Sequence, residues 1–174
     1  NEAKGIYVTA LAYSNDFTKA YDAYQKMDTL NEALLKLYPN ILYGKAALSI
    51  NDGQNESAFE LLTQVKNLPY NNHVLPQTYF WIGELSYKMG KIDVAIEHLD
   101  KYILDPIEIG EITKKHANYT LGYCHLKNNN YSKALQLFTI AADFNPYAES
   151  SAYQKDALVR LSDCQFMTKQ YKQA

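Results

Sequence analysis

A small residue followed twelve positions later by an alanine, five times over, constrains this chain more than any other feature. The pairs are Val8 and Ala20, Ala46 and Ala58, Gly83 and Ala95, Gly122 and Ala134, and Ser162 and Ala174, the first member usually small. Small side chains at fixed spacing let two backbones approach, so each pair predicts two helices packed along a narrow seam. Between the members stands a turn residue, Asn15, Gly53, Gly90, Asn129 or Lys169, mostly of types that enter the left-handed backbone region cheaply. Three residues before each alanine come Phe17, Asn55, Ile92, Tyr131 and Tyr171, and four after come Tyr24, Leu62, Leu99 and Phe138. Asn55 alone breaks the apolar rule. The stretch from Pro76 to Pro106 shows one unit complete, with Tyr79, Ile82, Leu85, Ile92, Leu99 and Tyr102 at threefold and fourfold spacings around Gly83 and Ala95.

These positions resemble the tetratricopeptide repeat family, whose pattern runs Trp-x2-Leu-Gly-x2-Tyr, then Ala-x3-Phe, then Pro. Lys115 to Pro146 carries it best, with Leu121, Gly122, Tyr131, Ala134, Phe138, Ala141 and Pro146 on pattern. It departs where Asn118 replaces the Trp and His125 the later Tyr. The alanines Ala20, Ala58, Ala95, Ala134 and Ala174 step by 38, 37, 39 and 40 residues, against a family period of about 34. Because the internal spacing stays at twelve, the surplus belongs in the second helix or in the link to the next unit. Sel-like repeats lengthen the loop inside the hairpin instead, and HEAT-like repeats lack the small-residue seam. The resemblance implies an all-α fold, a right-handed superhelical solenoid of antiparallel helix pairs. Residues 1–174 are expected to form one repeat domain of about five units, the last incomplete. With terminal faces that read as uncapped, the chain is expected to be a segment of a longer protein.

In chain order, the spacing predicts a first helix from Asn1 to Tyr13 and a second from Phe17 to about Tyr38, stopped by Pro39. An alternative breaks that second helix near Asp28 to Asn31, with Thr29 or Asn31 as the cap of a new one. Asn40 to Ile50 and Glu56 to Asn67 form the next hairpin, and Pro76 suits the first turn of the helix after the LPYNNHVLP link. Ile107 to Ile112 reads as a solvated turn, with Glu111 and Lys115 placed as an i,i+4 pair. Pro69, Pro106 and Pro146 close three second helices, and the segment after Pro146 is long enough for one extended helix.

Chemistry is thin. No phosphate loop, serine elbow or metalloprotease helix motif occurs, so no catalytic residue, metal ligand or cofactor is expected. Cys124 and Cys164 sit at the same place in successive units and read as small buried thiols, since neighbouring helix axes stand farther apart than a disulfide spans. His98 is expected at the surface or partly packed, and His116 on the inner side of its helix. The net charge is -2, and Arg160 is the one arginine among 17 basic residues, which disfavours nucleic acid as a partner. No membrane-inserting stretch appears, and richness in Asn, Lys, Ile and Tyr suggests an AT-rich bacterial genome.

The resemblance implies a non-catalytic interaction scaffold, because in that family the first helices line a concave groove that holds peptides or partner helices. Carried over by position, the row three residues before the seam holds Tyr43, Phe80, Tyr119 and Val159. The row one after holds Ala47, Glu84, Tyr123 and Asp163, and the row four after holds Ile50, Tyr87, Leu126 and Phe166, with Lys88 and Lys127 next along. Two readings of the rings stand open: internal packing, or apolar pockets for a partner. The first row has no lysine and the second no asparagine, so carboxylate-clamp capture of a chaperone tail is not expected. The stretches YFWIGELSYKMGKIDVAI and ALVRLSDCQFMTKQYKQA look like bacterial periplasmic members of the Tol-Pal-associated or outer-membrane-assembly type. That implies a periplasmic or envelope setting rather than a cytoplasmic one. The alternative function is a structural stretch of a longer array that self-associates through uncapped ends.

Overall fold

The computed structural model describes residues 2–143 and 151–170. Among these the chain is all helical apart from links and one isolated β-bridge between Ile109 and Ile112. The helices are α1 (Glu2–Tyr13), α2 (Phe17–Gln25), α3 (Glu32–Asn51), α4 (Asn55–Asn67), α5 (Leu75–Lys88), α6 (Ile92–Leu104), α7 (Lys114–Lys127), α8 (Tyr131–Ala141) and α9 (Ala152–Met167). Contacts gather into two compact units, Asn1–Leu85 and Ser86–Ala174, the division falling inside α5.

The turns inside the hairpins are alike to the level of single hydrogen bonds. Asn15, Gly53, Gly90, Asn129 and Lys169 all have positive φ, between 56° and 74°. Each donates its N–H to the carbonyl three residues back, and the next residue donates to the carbonyl five back, as in Gly90 to Tyr87 and Lys91 to Ser86 at 3.0 and 2.8 Å. That is the Schellman pattern, which satisfies carbonyls left open at the end of the first helix. It also fixes the chain direction into the second helix. Side-chain caps then start several helices: Asp16, Asn31, Thr113 and Asn130 each accept the N–H three residues on. Ser151 does so within a full capping box with Gln154.

Both seam positions of the first four pairs are buried. Ala20, Ala58, Ala95 and Ala134 are fully buried, as are Val8 and Ala46, and Gly83 and Gly122 are buried too. At Gly122 the reason for smallness is explicit, because a Cβ built there would lie 2.7 to 2.9 Å from the Phe138 ring. Phe138 is the aromatic four residues beyond Ala134, so the alanine and the ring together close on the glycine. Ser162 is exposed, and its counterpart Ala174 lies outside the described residues, as do Pro146 and Tyr171.

Three expectations need correction. Pro39 does not stop a helix; it lies buried inside the twenty residues of α3. α2 instead ends at Gln25, and α3 starts early from the Asn31 cap, the break that the sequence offered as its alternative. Proline at position 39 removes one backbone bond. The ring of Tyr38 offsets this by stacking on Tyr24 at 4.1 Å and 8°, while its hydroxyl accepts from the Gln25 amide. Glu111 precedes the Thr113 cap and is not helical, so Lys115 pairs with Asp143 at 2.8 Å instead. His98 is buried, with Nδ1 2.9 Å from the Val94 carbonyl oxygen.

In the first unit a buried cluster of Val8, Ala12, Ala20, Tyr24, Leu34 and Ile41 joins α1, α2 and α3. In the second, Ala134, Phe138, Ala141, Ala142, Ala157 and Cys164 join α8 and α9, with Tyr119, Tyr123 and Leu126 packed against them from α7. Cys124 and Cys164 are buried free thiols, and burial raises the Cys164 pKa.

Candidate functional site

In the second unit, the first helices α7 and α9 present a connected aromatic and charged face. Residues on α7 at threefold and fourfold spacing, Tyr119, Tyr123 and Leu126, are half-buried. The Tyr119 hydroxyl donates to Asp156 Oδ2 at 3.0 Å, and the Tyr123 hydroxyl donates to the same oxygen over a shorter distance. Arg160 Nε lies 3.6 Å from the other Asp156 oxygen, and its terminal nitrogen donates to Asp163. One carboxylate thus collects two phenols and a guanidinium across two helices. Burial, and then the neighbouring carboxylate, raise the pKa of both phenols, with Tyr123 shifted far up. Both hydroxyls therefore stay protonated donors at neutral pH.

Rings extend this face in both directions. His116 stacks flat on Tyr153 at 4.8 Å and 7°, and Tyr119 meets Tyr123 edge to face at 5.1 Å. Tyr87 lies 6.1 Å from Tyr123, with the Lys127 ammonium 4.7 Å above its centre, an arrangement that the ring quadrupole favours. Lys88 is exposed, and Phe166 is 62% exposed on α9. Of the predicted positions, Tyr87, His116, Tyr119, Tyr123, Leu126, Lys127, Asp163 and Phe166 therefore stand in the second unit half-buried or exposed.

In the first unit two positions of the same rows are enclosed. Phe80 is fully buried, edge to face with Trp81 at 5.2 Å, and Glu84 is 7% exposed. Tyr43 is held by a hydrogen bond with Trp81, and burial pushes its pKa up to about 12. Phe80 and Glu84 are thus enclosed, whereas Tyr43 is half-buried. Sequence reasoning missed Asp156 and Tyr153 altogether and noted Arg160 only as the lone arginine. A signal was present, because Asp156 stands six before Ser162, the place that His116 holds relative to Gly122.

The first unit also holds a pocket of about 770 Å³. Ile6, Thr9 and Tyr13 of α1 line one side, and Met27, Leu30 and Leu34 from the link and the start of α3 line the other. It exists because α3 begins early, bringing the Leu34 side chain to the edge of Gly5.

Comparison with known proteins agrees with the helical fold. The sequence model of the tetratricopeptide repeat family matches residues 77–105, which span most of α5 and α6. No curated protein matches the chain. Among solved structures, the nearly identical TPR-like repeats of a Podosopora anserina protein described as a kinesin light chain are similar with a TM-score of 0.56 and 13% identity, covering 98% of this chain and 88% of that one. The MamA protein is similar with a TM-score of 0.58 and 18% identity, covering 99% and 97%. At such identities the likeness is one of fold. The chain is an all-α repeat protein of TPR-like fold, with the tetratricopeptide repeat itself recognised at residues 77–105.

Proposed function

We propose that this chain is a non-catalytic scaffold that binds a peptide or partner helix on the inner face of its first helices, and that the open part of that face lies on α7, α9 and the end of α5 at Tyr87. The observation that carries this reading is the alignment of Tyr87, Lys127, Asp163 and Phe166 on a face whose deeper members, Tyr119 and Tyr123, are already fixed by Asp156. Fixed rings with exposed neighbours give a preorganised surface, which lowers the ordering cost of binding. Repeat proteins of this fold typically serve as protein-interaction scaffolds, which supports the reading. A bacterial periplasmic or envelope setting, from the sequence resemblance, belongs to the same proposal; no helix among the described residues is long and apolar enough to cross a membrane.

The test is selection of peptides from a displayed library on the whole chain, followed by affinity measurement against a Tyr87→Ser, Lys127→Ala, Phe166→Ser variant. These three positions are half-buried or exposed, so helicity should survive. Enriched peptides should bind the variant at least tenfold more weakly. Peptides that bind both proteins equally, or a selection that enriches nothing, would sink the inner-face reading. A second reading, self-association within a longer array, is favoured by exposed apolar side chains on α9, Leu158, Val159 and Met167. It predicts concentration-dependent sedimentation that a Leu158→Ser, Met167→Ser variant abolishes.

A further inference from the structure

The link between α6 and α7 carries apolar surface that neither the hairpin seams nor the inner face uses. From Leu104 to Ile112 it reads LDPIEIGEI. Leu104 is 85% exposed, Ile109 58% and Ile107 37%, whereas Ile112 is buried. The segment is a fixed turn. Ile109 and Ile112 exchange backbone hydrogen bonds at 3.0 Å in each direction, around Gly110 at a φ of 58°. The Tyr102 hydroxyl donates to the Ile107 carbonyl at 3.3 Å, and the Glu108 carboxylate accepts the Lys114 N–H at 2.9 Å. The aliphatic side chains are therefore presented from an anchored backbone. Exposed aliphatics grouped within a polar rim are a mark of interaction surfaces.

Charge decides what kind of partner fits. Asp105, Glu108 and Glu111 fall within these nine residues, and no lysine or arginine does. Of the flanking cations, Lys101 is engaged by Glu97 at 2.7 Å and Lys115 by Asp143 at 2.8 Å, while Lys114 stands exposed at the start of α7, so the turn keeps a net negative charge from Asp105, Glu108 and Glu111 against one lysine. An anionic membrane surface would meet like charge here, and so would the same turn of a second copy. A cationic partner would be steered toward it.

We propose that the Leu104 to Ile112 turn docks a basic amphipathic partner segment. Its apolar side chains cover Leu104, Ile107 and Ile109, and its lysines or arginines face Asp105 and Glu111. Glu108 is already committed to the α7 backbone and acts as a positioning residue for the turn. This site uses residues other than those of the inner face, although His116 joins the two through its Nδ1, 3.0 Å from the Glu111 carbonyl oxygen.

The experiment is a titration of the whole isotope-labelled chain, followed by amide chemical shifts, with a synthetic peptide of alternating leucine and lysine. Its leucine-glutamate counterpart and phosphatidylglycerol vesicles are the controls. Shift changes should centre on residues 104–114, and the glutamate peptide and the vesicles should leave those residues unmoved. Affinity for the lysine peptide should fall at least tenfold in Leu104→Ser, Ile109→Ser and again in Asp105→Lys, Glu111→Lys, with the remaining spectrum of each variant unchanged. The proposal is overturned by shifts centred elsewhere, by equal binding of the glutamate peptide, by insensitivity to both variants, or by vesicles that move the same residues. The wild-type shift map decides the matter even if one variant folds poorly.

Discussion

Gly122 shows at the scale of a single residue why the repeat needs small side chains. A methyl there would sit inside 3 Å of three atoms of the Phe138 ring, and both helices are held by their caps and turns, so the ring has little room to retreat. Gly122→Ala should cost about 1 to 3 kcal/mol of overpacking strain, although alanine is the better helix former. Chemical denaturation would read this as a lowered midpoint, and an unchanged or raised midpoint would contradict the seam. Tyr43 offers a residue-scale prediction in pH. Its phenol is held near pKa 12 by burial, against an ordinary value of 10.0. Above pH 10 the unfolded chain loses this proton first, so stability falls as pH rises from 10 to 12 and then levels off. The loss from this group is at most about 2 to 3 kcal/mol. Tyr43→Phe should make that part of the stability profile shallower in thermal melts across the range, with Tyr102, also raised to about 12 by burial, still contributing.

At the scale of the helix and its turn, the frame was legible because it rests on local chemistry. All five turn residues named from spacing adopt positive φ, since glycine and asparagine enter that region at small cost and twelve residues leave no other place for the reversal. Lys169 holds the same conformation, with φ at 63°, without a residue suited to it. Lys169→Gly should therefore stabilise the chain by up to about 1 kcal/mol, whereas Gly90→Ala, at a φ of 74°, should destabilise by a similar amount. Paired melting curves that moved in the same direction would refute the shared turn geometry. The early start of α3 was harder to see. Pro39 is a strong local signal for an ending, and only tertiary contacts, the stack of Tyr38 on Tyr24 above all, let the helix run through it. The inner face was legible by row but not by depth. Spacing put Phe80 and Tyr119 in one register, yet Phe80 is enclosed while Tyr119 reaches Asp156. Whether a register position ends buried depends on neighbours about forty residues away, and a spacing rule does not carry that.

Across the whole molecule, a hairpin repeated with one turn and one seam yields two kinds of surface. Second helices such as α6 and α8 bury their alanines and point their far sides outward, while first helices such as α7 and α9 join through Tyr119, Tyr123, Asp156 and Arg160. The charged bridge consumes the groups that would otherwise be obvious anchors, so under the proposed function recognition falls to what surrounds it. In a stacked repeat, stability is approximately a sum of local and nearest-neighbour terms, so exposed residues of this face can be changed without loss of the fold. The most direct test of the account is hydrogen exchange on the whole chain with and without a bound library-selected peptide, read helix by helix. Added protection should fall on α7, α9 and the end of α5 around Tyr87. Protection confined to α6 and α8 would show that the partner uses the outer helices, and the inner-face account would be wrong.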